Sequence, residues 1–75
     1  MTIEEKIIWL RAWLRYHGDY HITLDLWDLY GTVGLTISRH STTLKICRGE
    51  HFEKRLDEAM QYCKYLDILL ANPSE

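Results

Sequence analysis

Apolar residues in the last third of the chain recur at the period of an α-helix. They lie at i, i+4, i+7, i+11, i+14 and i+18, within an arc of about 80° when each residue turns the helix by about 100°. The six residues are Phe52, Leu56, Ala59, Cys63, Leu66 and Leu70. Charged and polar side chains occupy the opposite face, as in a helix that packs one face on a core. This pattern predicts a long amphipathic helix over residues 50–71.

A second, shorter helix is predicted at the N-terminus. Thr2 and Glu5 have the spacing of a capping box, which starts the helix at Ile3, and Gly18 permits its end near residue 17. One apolar stripe is suited to the core and consists of Ile3, Ile7, Leu10 and Leu14. An aromatic stripe beside it consists of Trp9, Trp13 and Tyr16. The aromatic stripe either packs on the other helix or forms a partner-binding patch, because Trp and Tyr are enriched in interface hot spots.

Between the two helices, the period of the apolar positions changes from 3.6 to 2, which indicates β-strands. The predicted strands are residues 20–27, 32–39 and 42–48. Residues 28–31 form the predicted first hairpin loop. His40 with Ser41 forms either a two-residue turn or part of a longer loop, because this pair lacks the favoured Asn-Gly chemistry.

These turns determine which residues of the strands face each other. The first hairpin pairs Leu26, Leu24 and Ile22 with Val33, Leu35 and Ile37 in turn. The second pairs Ile37 with Leu44 and Leu35 with Ile46, so both hairpins bury one common face. Cys47 then points to the opposite, open face.

Together these elements predict one α+β domain over residues 1–75. Its order is αβββα: a three-stranded antiparallel meander with two helices on one face. The residues expected to be buried are Phe52, Leu56, Cys63, Leu66, Leu10, Leu14, Leu24 and Leu35.

The composition narrows the possible functions. The 75 residues are 47% hydrophobic and carry a formal net charge of −2, whereas a nucleic-acid or anionic-membrane binder usually has a basic surplus. Charged residues interrupt the first apolar run and no run reaches about eighteen residues, so we expect neither a signal peptide nor a membrane span. We expect a cytoplasmic protein. Cys47 and Cys63 should be free thiols, because the predicted sheet would separate them.

No arrangement of reactive side chains predicts catalysis or metal binding. The predicted fold divides the histidines and cysteines between opposite ends of the sheet, which leaves no set of four close zinc ligands. The predicted open face carries a row of Asp25, Gly34 and Cys47 beside Lys45 and Thr36. No histidine reaches Cys47 there, and a flat sheet does not exclude water. We therefore expect no catalytic residues, no cofactor and no metal.

The predicted order of helix, three strands and helix resembles that of the double-stranded RNA-binding domain. That family places glycine and several lysines at the start of its last helix, where they meet phosphates. Gly49 is present here, but acidic residues outnumber Lys54 and Arg55 in this stretch. The acidic residues are Glu50, Glu53, Asp57 and Glu58. The resemblance covers element order alone, and a nucleic-acid-binding module is the alternative function.

The apolar and aromatic surface favours protein binding. We expect a small non-enzymatic protein–protein interaction module, a stand-alone inhibitor or regulator of the kind that phages and mobile elements encode. The candidate partner-binding residues are Trp9, Trp13, Tyr16, Trp27, Tyr62, Tyr65, Ile68 and Leu69. The long helix spans about 33 Å and a seven-residue strand about 23 Å, so the helix end should overhang the sheet. Two such ends would cover each other across a two-fold axis, which predicts a homodimer.

Overall fold

The computed structural model describes residues 1–27 and 32–71, and for Trp27 it describes the backbone alone. The elements are α1 (Ile3–Tyr16), β1 (Tyr20–Trp27), β2 (Thr32–Arg39), β3 (Thr42–Gly49) and α2 (Phe52–Ala71). The strands form one antiparallel sheet in the order β1-β2-β3. This architecture confirms the predicted αβββα fold. The predicted loop over residues 28–31 lies outside the described residues.

The predicted capping box starts α1. The Thr2 N–H donates to Glu5 Oε1 at 2.7 Å, and the Glu5 N–H donates to Thr2 Oγ1 at 3.1 Å. The hydrogen bond from the Thr2 backbone to the Glu5 carboxylate lowers the pKa of that carboxyl group. At the other end, the His17 N–H donates to the Leu14 carbonyl. Gly18 has no left-handed φ, so the predicted glycine cap is wrong.

The first hairpin has the predicted pairing throughout. Leu26 lies opposite Val33, and Leu24 lies opposite Leu35. The second hairpin begins as predicted, because His40 and Ser41 both have positive φ, as a two-residue type I′ turn requires. Its register then shifts by one residue within β3.

This β-bulge at Leu44 reverses the predicted faces of the rest of β3. Lys45 pairs with Ile37 and Cys47 with Leu35, so both lie on the helix side of the sheet. Cys47 is buried, whereas Leu44 and Ile46 are exposed. The prediction that Leu44 and Ile46 are buried and that Cys47 faces the open side is therefore wrong. One extra residue in a strand exchanges the two faces of everything beyond it.

Both helices lie on one face of the sheet, and they run parallel. Lys6 of α1 contacts Glu53 and Asp57 near the start of α2, and Trp13 contacts Asp67 near its end. The Lys6 ammonium group is buried and lies 2.7 and 2.8 Å from the two carboxylates, which raise the pKa of the lysine. These contacts join α1 to α2.

The core lies mainly between α2 and the second and third strands. α2 packs on β2 and β3, while α1 packs on α2 and has only marginal contact with the sheet. The buried apolar residues are Leu10, Trp13, Tyr20, Leu35, Ile37, Cys47, Leu56, Ala59, Met60, Cys63 and Leu66. Of the predicted core, Leu14 and Phe52 are partly buried.

The prediction of a buried Leu24 is wrong. Leu24 is 53% exposed and Leu26 is 69% exposed, although both belong to the helix-facing side of β1. The reason is the placement of α1, which leaves this part of the sheet uncovered. Leu70, expected on the buried stripe of α2, is likewise half exposed.

Candidate protein-binding groove

An apolar groove of about 200 Å³ lies between α1 and β1. Its lining comes from both helices and from the first two strands. The lining residues are Ile7, Leu10, Arg11, Leu14, Ile22, Leu24, Leu35, Phe52 and Leu56. Arg11 is the one charged member of this set. We call this feature the α1–β1 groove.

The groove is a wedge that opens toward solvent. Leu10, Leu35 and Leu56 form its back and belong to the buried core. Ile7 on α1 and Leu24 on β1 form its two lips, and both are exposed. The groove therefore exposes a continuous apolar surface that extends from its lips to the core. A single leucine on the surface does not create such a patch.

The free edge of β1 runs along the mouth of this groove. β1 is an outer strand of the sheet, and its pairing with β2 is regular over all eight residues. It contains no proline and no lysine, and its one carboxylate, Asp25, accepts a hydrogen bond from Thr36 Oγ1 at 3.2 Å. The edge of β1 thus lacks the features that usually block further strand pairing.

Two arginines lie on the α1 side of the groove. Arg11 lines the groove, and Arg15 lies one turn further along the exposed face of the helix. Neither has an ion-pair partner among the described residues. The helix-side lip of the groove is consequently basic in a chain with a net negative charge.

Among the predicted partner-binding residues, Trp13 is a core residue. It is 6% exposed, its ring stacks on His17 at 3.9 Å, and its Nε1–H donates to Asp67 Oδ1 at 2.9 Å. His17 Nδ1 lies 2.8 Å from the Trp13 carbonyl oxygen, and its Nε2 lies 3.1 Å from Asp67. This network joins the ends of α1 and α2, and it leaves Trp13 almost no surface for a partner.

The other two aromatic residues of α1 differ in exposure. Trp9 is partly buried against the core, with the Lys64 ammonium group 5.8 Å from the centre of its ring. Tyr16 is exposed at the end of α1, where it borders a shallow depression with Leu70. The backbone of Trp27 pairs with Thr32. The three aromatic residues of α1 therefore do not form one exposed patch.

The end of α2 presents a second apolar surface. Tyr65, Ile68, Leu69 and Leu70 are all exposed there, while Tyr62 is partly buried and lies 5.8 Å from Tyr65 between ring centres. This surface contains four of the eight residues that the sequence predicted to bind a partner. Two of its residues border other depressions, Leu70 beside Tyr16 and Tyr62 beside Lys45.

Among the described residues, no three His, Cys, Asp or Glu side chains lie close enough to hold a metal ion. The predicted open-face row is divided, because Cys47 and Lys45 lie on the other side of the sheet from Asp25 and Thr36. Both cysteines are free thiols as predicted, although the sheet does not separate them. Burial raises the pKa of Cys47, and it raises the pKa of Cys63 to about 12. Thiols with raised pKa values are weak nucleophiles.

In a double-stranded RNA-binding domain, the start of the last helix contacts RNA phosphates. In this chain, the side chain of Arg55 at the start of α2 instead bonds to other residues of the chain. The Arg55 Nη1–H donates to the Arg48 carbonyl at 2.7 Å, and Arg55 Nε forms an ion pair with Glu58 at 2.6 Å. A Cβ at Gly49 would collide with the Arg55 guanidinium, so the glycine makes room for this side chain.

The sequence did not point to the groove. The alternation of β1 marked Leu24 as a helix-side residue, which is correct, but it carries no information on whether a helix covers it. The signal that was present is the composition of β1, an eight-residue strand without proline or lysine.

No protein-family model matches this chain, and neither the curated proteins nor the solved structures that were compared include a match. Within the described residues, neither helix has the length and hydrophobicity needed to cross a membrane.

Proposed function

We propose that this domain binds a protein partner and that the α1–β1 groove is its binding site. The observation that carries the proposal is the exposure of Leu24 and Leu26 on the helix side of the sheet, beside an apolar groove. A domain of 75 residues buries only about 60% of the surface of its unfolded chain. Exposed leucines beside the core therefore lower the stability of such a small domain. A partner that covers them would recover this burial energy.

The size of the groove favours a protein over a small molecule. Pockets that bind drug-sized ligands usually measure about 300–1,000 Å³ and enclose most of the ligand. The α1–β1 groove, at about 200 Å³, is smaller and open on one side. It suits individual side chains of a larger partner that also contacts the surrounding surface.

Affinity capture from the source cells tests this proposal, with the parent protein and two variants as baits. Leu24→Glu places a charge at the lip of the groove. Ile46→Glu is the matched control, because Ile46 is 49% exposed on the opposite face of the same sheet. Circular dichroism and thermal melts first establish that both variants fold.

The expected result is a protein that the parent and Ile46→Glu retain and that Leu24→Glu loses. If Leu24→Glu retains the same proteins as the parent, the groove is not the binding site. If no protein is enriched over an unrelated bait of the same size, the proposed binding function is wrong.

A further inference from the structure

The two edges of the sheet differ in how they are protected against additional strands. The outer edge of β3 carries a bulge and the charged residues Lys45 and Arg48, which are common ways to block edge pairing. The outer edge of β1 has a regular register and neither lysine nor proline. Only the edge that borders the α1–β1 groove is therefore suited to accept a strand.

A strand fits this site better than a helix does. A β-strand offers one row of backbone N–H and C=O groups to each side, and within the described part of the chain β1 pairs with β2 alone. An added strand would use the free row, and every second side chain would point to the helix side of the sheet, toward Leu24 and the groove. A helix in the groove would cover the leucines but would leave the edge groups of β1 without a partner.

The charges at the groove specify the added strand further. Among the described residues, Arg11 is the only charged residue that lines the groove, and it has no ion-pair partner there. A carboxylate on a groove-facing position of the partner would reach this guanidinium at the lip. An exposed pair of this kind contributes more to specificity than to affinity.

We propose that the partner contributes an extended segment that pairs with the outer edge of β1, places alternate apolar side chains in the α1–β1 groove and sets an acidic side chain against Arg11. This inference rests on the proposed function, since it names the form of the partner at the same groove. It predicts a recognition mode of β-strand addition.

A displayed library of random twelve-residue peptides, selected on the intact protein, provides the probes. Selected peptides are tested for binding to the parent, to Leu24→Glu and to the control Ile46→Glu. We expect peptides that lose binding on Leu24→Glu alone, with apolar residues at every second position and an acidic residue among them. Arg11→Glu should weaken them by about 3- to 10-fold, and a peptide with lysine in place of its acidic residue should regain that loss. Lys54→Glu, on the exposed face of α2, is the charge control.

N-methylation separates a bound strand from a bound helix. In an extended peptide, the N–H groups of every second residue point to the same edge. Methylating the set that faces β1 should weaken binding about 10- to 100-fold through two or three lost hydrogen bonds, while methylating the other set should leave it within about 3-fold. Hydrogen exchange should show new protection at alternate amides of β1.

Three results would overturn the inference. The first result is a set of Leu24-dependent peptides whose apolar residues recur at helical spacing, or whose binding falls equally with both methylation sets. It would keep the groove as a binding site and exclude a bound strand. The second result is a parent protein that dimerises in sedimentation equilibrium together with a Leu24→Glu variant that is monomeric. It would identify a second copy of this chain as the occupant of the groove. If the library yields no peptide that depends on Leu24, strand addition is wrong, and the capture experiment alone decides whether the groove binds a protein.

Discussion

Leu24 and Leu35 face each other across β1 and β2, on the same side of the sheet, yet the structure gives them very different surroundings. Leu35 is 4% exposed at the back of the α1–β1 groove, and Leu24 is 53% exposed at its lip. Truncating each to alanine therefore measures whether the groove is open in solution. The two positions share strand geometry and residue type, so burial is the main difference between them.

The expected free-energy changes follow from the two exposures. Complete burial of a leucine side chain is worth about 1.5–3 kcal/mol, and about half of Leu24 is hidden, so Leu24→Ala should cost about 1 kcal/mol. Leu35→Ala also leaves a cavity in the core and should cost about 2–5 kcal/mol. A chain of this length has roughly 4–11 kcal/mol of stability in total. Leu35→Ala therefore consumes a large share of it.

Urea unfolding of the parent and both variants measures the difference. With a denaturant slope of about 1 kcal/mol/M for a small domain, the Leu35→Ala midpoint should lie at least about 1 M below that of Leu24→Ala. Ile46→Ala, at similar exposure on the other face, should resemble Leu24→Ala. Equal losses for Leu24→Ala and Leu35→Ala would mean that α1 closes on β1 in solution, and the groove as a binding site would be refuted.

Three further predictions concern the core, the end of α2 and nucleic acid. Burial raises the pKa of Cys63 from 9.0 to about 12, so the free energy of unfolding should fall as the pH rises above about 9, by about 1.4 kcal/mol at pH 10 from this thiol alone. Unfolding curves of Cys63→Ala should show a shallower decline of stability with pH. An unchanged decline would contradict the burial of this thiol. Sedimentation equilibrium should show a dimer at tens of micromolar, and the double variant Ile68→Glu/Leu69→Glu should be monomeric. A monomeric parent protein would contradict the predicted dimer. Gel-shift titration with duplex RNA at low salt should show no micromolar, salt-dependent binding; such binding would favour the nucleic-acid alternative.

The sequence determined the first hairpin better than the second, for a physical reason. In β1 and β2 the apolar residues alternate without interruption, so one register alone places both rows on the same face of the sheet. In β3 the alternation of Leu44 and Ile46 predicted the wrong face, because a β-bulge at Leu44 shifts the register of the residues that follow it. Cys47, which looked like an open-face residue, fills the space under the helix.

The same limit applies to the candidate site. Periodicity assigns Leu24 to a face, and it predicts the helices that could cover that face. It does not give the position of a helix across the sheet, which here depends on contacts between α1 and α2 such as the buried Lys6 with Glu53. The groove results from that placement, and the absence of proline and lysine from β1 marks the strand edge without revealing the groove beside it.

The bulge in β3 also bears on the order of events during synthesis. A second pairing of this hairpin, without the bulge, would turn Leu44 and Ile46 inward and satisfy the alternation of β3 by itself. In the native pairing, Cys47 faces α2 and belongs to the same buried cluster as Ala59 and Cys63. On the ribosome, the hairpin emerges before α2. We therefore expect this hairpin to exchange between the two pairings during synthesis, until α2 is available to pack against Cys47.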